Sequence, residues 1–399
     1  MFELVQNNPS LVLINIIMLI IMWFTMRPAI YYTDGTVSPQ RLYFTLIMWF
    51  AFDIFSFWGS DWFHLYERYD DIMQGSPIVE SVYTWIAQRL APNNYILFRI
   101  IVWGAAQLLL WDTFRRLSVS FHLTLAIFVS IWMIWSSYGR VSLAMALAFW
   151  GLTIYHKSHR ISLLPKVIGI CAIAASFYFH KSAIFLIIVS VLSLLTNRFN
   201  KTTFILCLIA FPILAQLLNE GFIDTIMLTM TDRAEDLNSY IEKAQYYMES
   251  DKKGYGIGPL VGLILEKFPY YLITILGLVA VFKSSNNTEL TDYDEADNPE
   301  SSEYAEEQDP SIPEDIKVYI RVLFFIVLFS SLFLFSSSVN TQVVYDRFIK
   351  FSFVPATIVL AHLFESPKYF HYAWKTYCIA LFGTCYQMIY MLYCSIANS

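Results

Sequence analysis

Charge is what this sequence has least of. Asp, Glu, Lys and Arg make up 15% of its 399 residues, while 57% are hydrophobic and the mean hydropathy is +0.51. That is more apolar surface than one soluble core of this length can bury, so the excess must face lipid. No Lys/Arg stripe or patch appears, which removes nucleic acid as a partner class. The formal net charge of −6 does not describe an acidic surface either, because many of the acids sit in one stretch after Lys283. The cysteines, Cys171, Cys207, Cys378, Cys385 and Cys394, lie in apolar runs without C-x-x-C spacing. This argues against a zinc or thiol-redox motif and reads as small core hydrophobes. A basic n-region and a small-residue cleavage site before Arg27 are missing, so the first apolar run is expected to stay as a span. Matching motifs at a fixed offset between two halves are lacking, as are Gly/Pro pairs that break paired spans, which weakens a two-halved transporter.

Long apolar runs are abundant. A hydrocarbon core of about 30 Å takes roughly 20 helical residues per crossing, each amide bonded inside its own helix. Runs of that kind recur from 10–27 to 374–396. They predict a single all-α membrane domain over 1–399, a polytopic transmembrane helical bundle of about twelve spans. The Lys/Arg bias of the short loops sets its orientation. With the N-terminus outside, the cytoplasmic turns hold Arg27 and Arg41, Arg115 and Arg116, Lys157 and Arg160, Arg198 and Lys201, and Lys368 and Lys375. The outer face then carries the loops 59–93 and 220–261, the turns around Arg140 and His180, and 339–346. Residues 77–91 alternate apolar and polar residues at helical spacing and are too short to cross, which predicts a helix lying in the outer interface. Residues 284–316, rich in Ser, Asn, Asp and Glu, read as a disordered acidic cytoplasmic linker.

Five polar constellations fall on the outer face. Asp61 follows a span-ending glycine by two residues, so its carboxylate sits at the membrane face. There it either accepts a proton from a sugar hydroxyl, binds a cation, or simply caps the span. Glu80, in Ser76-Pro77-Ile78-Val79-Glu80, is ordinary helix-start chemistry. Arg140, at the start of an apolar span, either snorkels to head groups or holds an anion such as a diphosphate in its planar fork. Lys181 runs against the positive-inside bias, and His180 beside it can act as a base or hydrogen-bond its own turn. Arg347 and Lys350 share a helix face at i, i+3, which suits a phosphate-bearing lipid as well as plain membrane anchoring. Taken together, Asp61, Arg140, His180, Lys181 and Arg347 combine cations for a leaving diphosphate with a base for an acceptor hydroxyl.

The order G-x-D-x4-Y at Gly59, Asp61 and Tyr66 comes first, followed by an acid and an interfacial helix around Glu80. Arg140 with Leu143-Ala144, then His180-Lys181-Ser182-Ala183, and finally Arg347 complete a pattern that resembles the EpsG family of exopolysaccharide membrane proteins. The resemblance covers nearly the whole chain. That family is similar in turn to Wzy-type polysaccharide polymerases, within the integral membrane glycosyltransferases. The resemblance implies joining of polyprenyl-diphosphate-linked oligosaccharide units at the outer face of a bacterial inner (cytoplasmic) membrane, for capsule, exopolysaccharide or O-antigen. It also implies that Arg140, Arg347 and Lys181 hold the diphosphate, that Asp61 or His180 activates the acceptor, and that Glu80 and Tyr66 help bind substrate. No cofactor, nucleotide sugar or metal is expected. Membrane lipid, and a chain-length regulator or flippase of the same pathway, are the implied partners. Where the family often has arginine before its G-x-D and glutamine after its membrane arginine, this chain has Phe57-Trp58 and Val141, which puts substrate details in doubt. The competing classes are a transporter or flippase of a lipid-linked glycan and a membrane acyltransferase that modifies glycans. The acyltransferase would call for a buried His or Arg near the inner face, and the loop assignment places none there.

Overall fold

In the computed structural model the described residues are 9–31, 36–55, 66, 69–73, 81–133, 139–157, 163–196, 204, 206–207, 209–210, 257–294, 312–334, 345 and 348–397. Among them every regular element is helical. In order these are α1 (Pro9–Met26), α2 (Pro28–Tyr31), α3 (Pro39–Phe55) and α4 (Ser81–Trp85), the last running on into a π-helix at Ile86–Leu90. Next come α5 (Tyr95–Arg116) and α6 (Phe121–Ile127), extended by a π-helix at Phe128–Trp132, then α7 (Gly139–Lys157), α8 (Leu163–Phe179) and α9 (Ala183–Leu195). The remainder are α10 (Ile257–Asp294), α11 (Glu314–Leu334), a 3-10 turn at Lys350–Ser352, α12 (Phe353–Glu365) and α13 (Phe370–Ala397). Local chemistry explains several starts. Pro9, Pro28 and Pro39 each open a helix, where a missing N–H costs nothing. The Asn94 side chain accepts the Leu97 N–H at 2.9 Å to cap α5. Glu314 and Asp315 place acids in the first turn of α11, against the positive end of its dipole.

The helices run alternately between two ends. One end is tied together by polar contacts. Lys157 reaches Asp315 at 3.0 Å and Ser118 Oγ at 2.7 Å, the Ser118 N–H donates to Asp315 at 2.8 Å, and the Ser120 N–H donates to Glu365 at 2.6 Å. This places the C-termini of α5, α7 and α12 beside the N-termini of α6 and α11. Tyr31 packs edge-on against Trp374 at the same end, so the sets Arg115–Arg116, Lys157 and Lys368–Lys375 share a face as the basic turns predict. The opposite, His180 end gathers the start of α5 and the α8–α9 turn.

Small residues let the helices close up. A Cβ on Gly151 of α7 would lie 2.6 Å from the carbonyl oxygen of Gly169 in α8, and a Cβ on Gly169 would lie 2.6 Å from that of Gly151. Lipid offers no hydrophobic gain for helix association, so packing of this kind has to supply it. Gly169→Val is expected to force the pair apart and cost about 1–3 kcal/mol, read as a lower unfolding temperature of the purified protein in detergent. The core inside is aromatic and tightly packed. Trp49 meets Phe128 at 5.1 Å between ring centroids, and the Tyr319 and Thr153 hydroxyls lie 2.6 Å apart. Many large apolar side chains point outward instead, among them Ile47, Leu163, Leu195, Phe382 and Ile389. Such a surface is unfavourable in water and favourable in lipid.

Four expectations need correction or trimming. Among the described residues three helices are long and apolar enough to cross a membrane, Pro9–Met26, Tyr95–Arg116 and Leu265–Ser284, and about twelve spans are not reproduced there. Phe121–Trp132, Leu163–Phe179 and Ala183–Leu195 are apolar but shorter, because hydropathy runs on into turns and π-helical ends where the regular helix has stopped. The interfacial helix begins at Ser81 within the described residues, and 74–80 lie outside them. α10 continues to Asp294, ten residues past the expected start of the acidic linker at 284, since extending a formed helix is far cheaper than starting one. Cys171, Cys378 and Cys385 are exposed on the bundle exterior, so they are not core residues, whereas Cys207 is half-buried and packs against the core.

Candidate functional site

The site grows from three packing contacts at the His180 end. Tyr83 of α4 meets Phe179, the last residue of α8, at 6.1 Å between ring centroids. Phe185, in the first turn of α9, stacks on Phe348 at 4.3 Å and 10°. Tyr271 of α10 places its hydroxyl 3.3 Å from that of Tyr345 and 2.7 Å from Ser331 Oγ. Together they bring the 81–94 segment, the α8–α9 turn, Tyr345, Phe348 and the turn of α10 around Tyr271 to one rim. Aromatic rings suit this task, since each buries a large area and fixes an angle with few rotatable bonds.

Tyr69 stiffens the rim. Its hydroxyl donates to the Ala91 carbonyl and accepts the Asn94 N–H at 2.6 Å. Burial pushes its phenol above the ordinary tyrosine range, so it stays protonated and keeps donating. Tyr66 sits edge-on to Tyr95 at 5.2 Å, a packing role at the start of α5.

In the α8–α9 turn, His180 Nδ1 lies 2.5 Å from Ser182 Oγ and accepts the Ser182 N–H at 3.2 Å. The Ala183 N–H closes on the His180 carbonyl at 2.9 Å. One ring nitrogen is thus engaged in holding the turn, which orients the other. His180 and Lys181 are both half-buried. Arg140 lies in the first turn of α7, eleven residues before Gly151, and His180 lies eleven residues after Gly169. Because α7 and α8 are antiparallel and touch at those glycines, the backbones at Arg140 and His180 stand at the same height. Asp61, Glu80 and Arg347 lie outside the described residues, although Tyr345 and Phe348 place the chain on either side of Arg347.

Charged side chains inside the helices went unread in the sequence. Asp53 of α3 is buried with Arg99 and Gln107 of α5, at 3%, 1% and 8% exposure. The Gln107 amide donates to Asp53 Oδ2 at 2.6 Å. Arg99 donates to the Asp53 carbonyl and lies over the Trp103 ring, 4.8 Å from its centroid. An ionisable residue inside an apolar run is itself a signal of function or of tight pairing, and that signal was available. At the start of the Leu265–Ser284 span, Lys267 Nζ sits 2.6 Å from Glu266 Oε1. The expectation of no buried His or Arg toward the other end is also corrected. Arg321 of α11 is 4% exposed, with no hydrogen bond from its Nε or Nη2 among the described residues, and His362 is half-buried on the last turn of α12.

These features define a membrane protein that is all-helical among its described residues. The chain belongs to the EpsG family, whose model matches residues 40–399, a family associated with exopolysaccharide biosynthesis. Neither a curated protein nor a solved structure matches it.

Proposed function

We propose that the protein is a polysaccharide polymerase. It crosses a bacterial inner membrane several times, with its His180 end outward, and joins polyprenyl-diphosphate-linked oligosaccharide units there. The observation that carries this reading is the placement of the His180-Lys181 turn. It stands level with Arg140 and packs through Phe185 and Phe348 against the segment that contains Arg347. Cations supplied from separate helices can hold a diphosphate and stabilise the charge it gains on leaving. A base beside them can take the proton of the attacking hydroxyl. The reacting sugar and its lipid anchor would meet the rim from the surrounding membrane.

A gel ladder of the polysaccharide from a strain lacking the gene tests this. Loss of the ladder with retention of a single lipid-linked unit on the outer leaflet is expected. Precursor trapped on the inner leaflet would mean a flippase instead. The acyltransferase is the second reading, favoured by the buried Arg321 and by His362. It predicts an intact ladder whose sugars lack an acyl group.

A further inference from the structure

A chain of hydroxyl groups crosses the rim, and its direction of donation is fixed. Ser331 Oγ donates its proton to the Val327 carbonyl at 2.6 Å, the back-bond that serine makes to the preceding helical turn. Toward Tyr271, whose hydroxyl lies 2.7 Å away, Ser331 Oγ is therefore an acceptor. A phenol also carries a single proton. Tyr271 gives it to Ser331 and accepts from the Tyr345 hydroxyl at 3.3 Å. Donation thus runs from Tyr345 to Tyr271 to Ser331 and ends on the backbone of α11.

Both ends of this chain are anchored. Ser331 and Tyr345 are buried, and α10 is fixed at the same level by Tyr270, which stacks on Trp132 at 6.1 Å and 18°. Hydrogen bonds constrain both distance and angle, whereas a ring stack such as Phe348 on Phe185 constrains mainly the spacing of two planes. In the sequence Arg347 comes two residues after Tyr345 and directly before Phe348. The chain at Arg347 is therefore flanked by a polar tether on one side and an aromatic stack on the other. Tyr271 is the middle link of the tether. Losing its hydroxyl would break both of its bonds and leave its ring in place.

We infer that Tyr271 is a positioning residue for polymerisation, whose hydroxyl holds Tyr345 and through it sets where Arg347 meets the leaving diphosphate. The inference rests on the polymerase reading above. Tyr271 itself neither touches the substrate nor exchanges a proton with it, since its proton stays on Ser331. Placement matters because a donor stabilises developing charge only where it is already in position. A displacement of about 1 Å can cost about 10²-fold in rate.

The test uses the full-length protein in lipid nanodiscs with polyprenyl-diphosphate-linked repeat units extracted from the same strain, read as a ladder on a gel. Tyr271→Phe is expected to lower kcat by about 10-fold, with KM for the lipid-linked unit and the unfolding temperature little changed. In an Arg347→Ala background the same substitution is expected to cost nothing further, because the group it positions is gone. Ser331→Ala, which takes away the acceptor of Tyr271, is expected to lower kcat in the same way. Elongation by Tyr271→Phe at the wild-type rate overturns the inference. So does a loss that multiplies with that of Arg347→Ala, or one accompanied by a lowered unfolding temperature, since either assigns the hydroxyl to the fold. A raised KM at unchanged kcat would place the hydroxyl against substrate and overturn it as well. Arg347→Ala that elongates normally removes the group to be positioned, with the same consequence. A wild-type protein that elongates nothing removes the polymerase reading itself, a result distinct from all of these.

Discussion

Arg140→Ala and Arg347→Ala are each expected to cut polymer formation by about 10²-fold or more, the usual cost of removing one preorganised donor from a developing negative charge. The polysaccharide ladder in a strain lacking the wild-type gene reads the effect, once each variant is shown to reach the membrane in normal amount. The backbone at Arg140 stands at the height of His180 because α7 and α8 touch at Gly151 and Gly169. The chain around Arg347 is pinned to the same turn by Phe348 on Phe185. Lysine at either position separates two roles. A guanidinium holds a diphosphate with a planar fork, whereas an ammonium acts as a point charge. Lysine that restores full activity would mean that only charge is needed, and alanine that leaves the ladder intact would remove both arginines from the site.

The largest loss of stability is expected from Arg99→Leu. Asp53 and Arg99 are almost wholly buried between α3 and α5, and the guanidinium is held on the Asp53 carbonyl and against Trp103. Removing one member leaves a carboxylate in an apolar interior with a neutral amide, Gln107, as its described side-chain hydrogen-bond partner. Breaking a buried pair in this way costs about 3–5 kcal/mol. The double variant Asp53→Leu with Arg99→Leu removes both charges and is expected to recover much of that loss, so the two substitutions should be strongly non-additive. Thermal unfolding of purified protein in detergent, wild type against both singles and the double, completes the cycle. Additive losses would show that Asp53 and Arg99 act independently.

The sequence exposed residues whose position broke a rule. Lys181 stood out because the loop bias assigns its turn to the outer face, where a cation is unexpected, and Arg140 because it opens an apolar run. Asp53 and Arg99 stayed hidden because each lies within a run read as a span, where averaged hydropathy swamps one charge. Glu266 and Lys267 were hidden for the same reason, at the edge of the run 262–282. Which side chains meet across helices depends on crossing points such as Gly151 against Gly169 and Gly383 against Leu265, and no local pattern encodes those. Helix ends were also misjudged. Apolar composition continues through 128–132, but the backbone there winds as a π-helix, a change set by packing against neighbours.

By itself the sequence determined the solvent and the family. Its surplus of apolar residues demands lipid, because transfer energies add residue by residue without regard to what each one touches. Its short motifs, spread from Gly59 to Arg347, carry the EpsG pattern. Tertiary structure alone decided which polar groups share a site. Height along an antiparallel helix pair and the seating of Phe348 on Phe185 are properties of contacts between distant segments, and electrostatics acts through those distances.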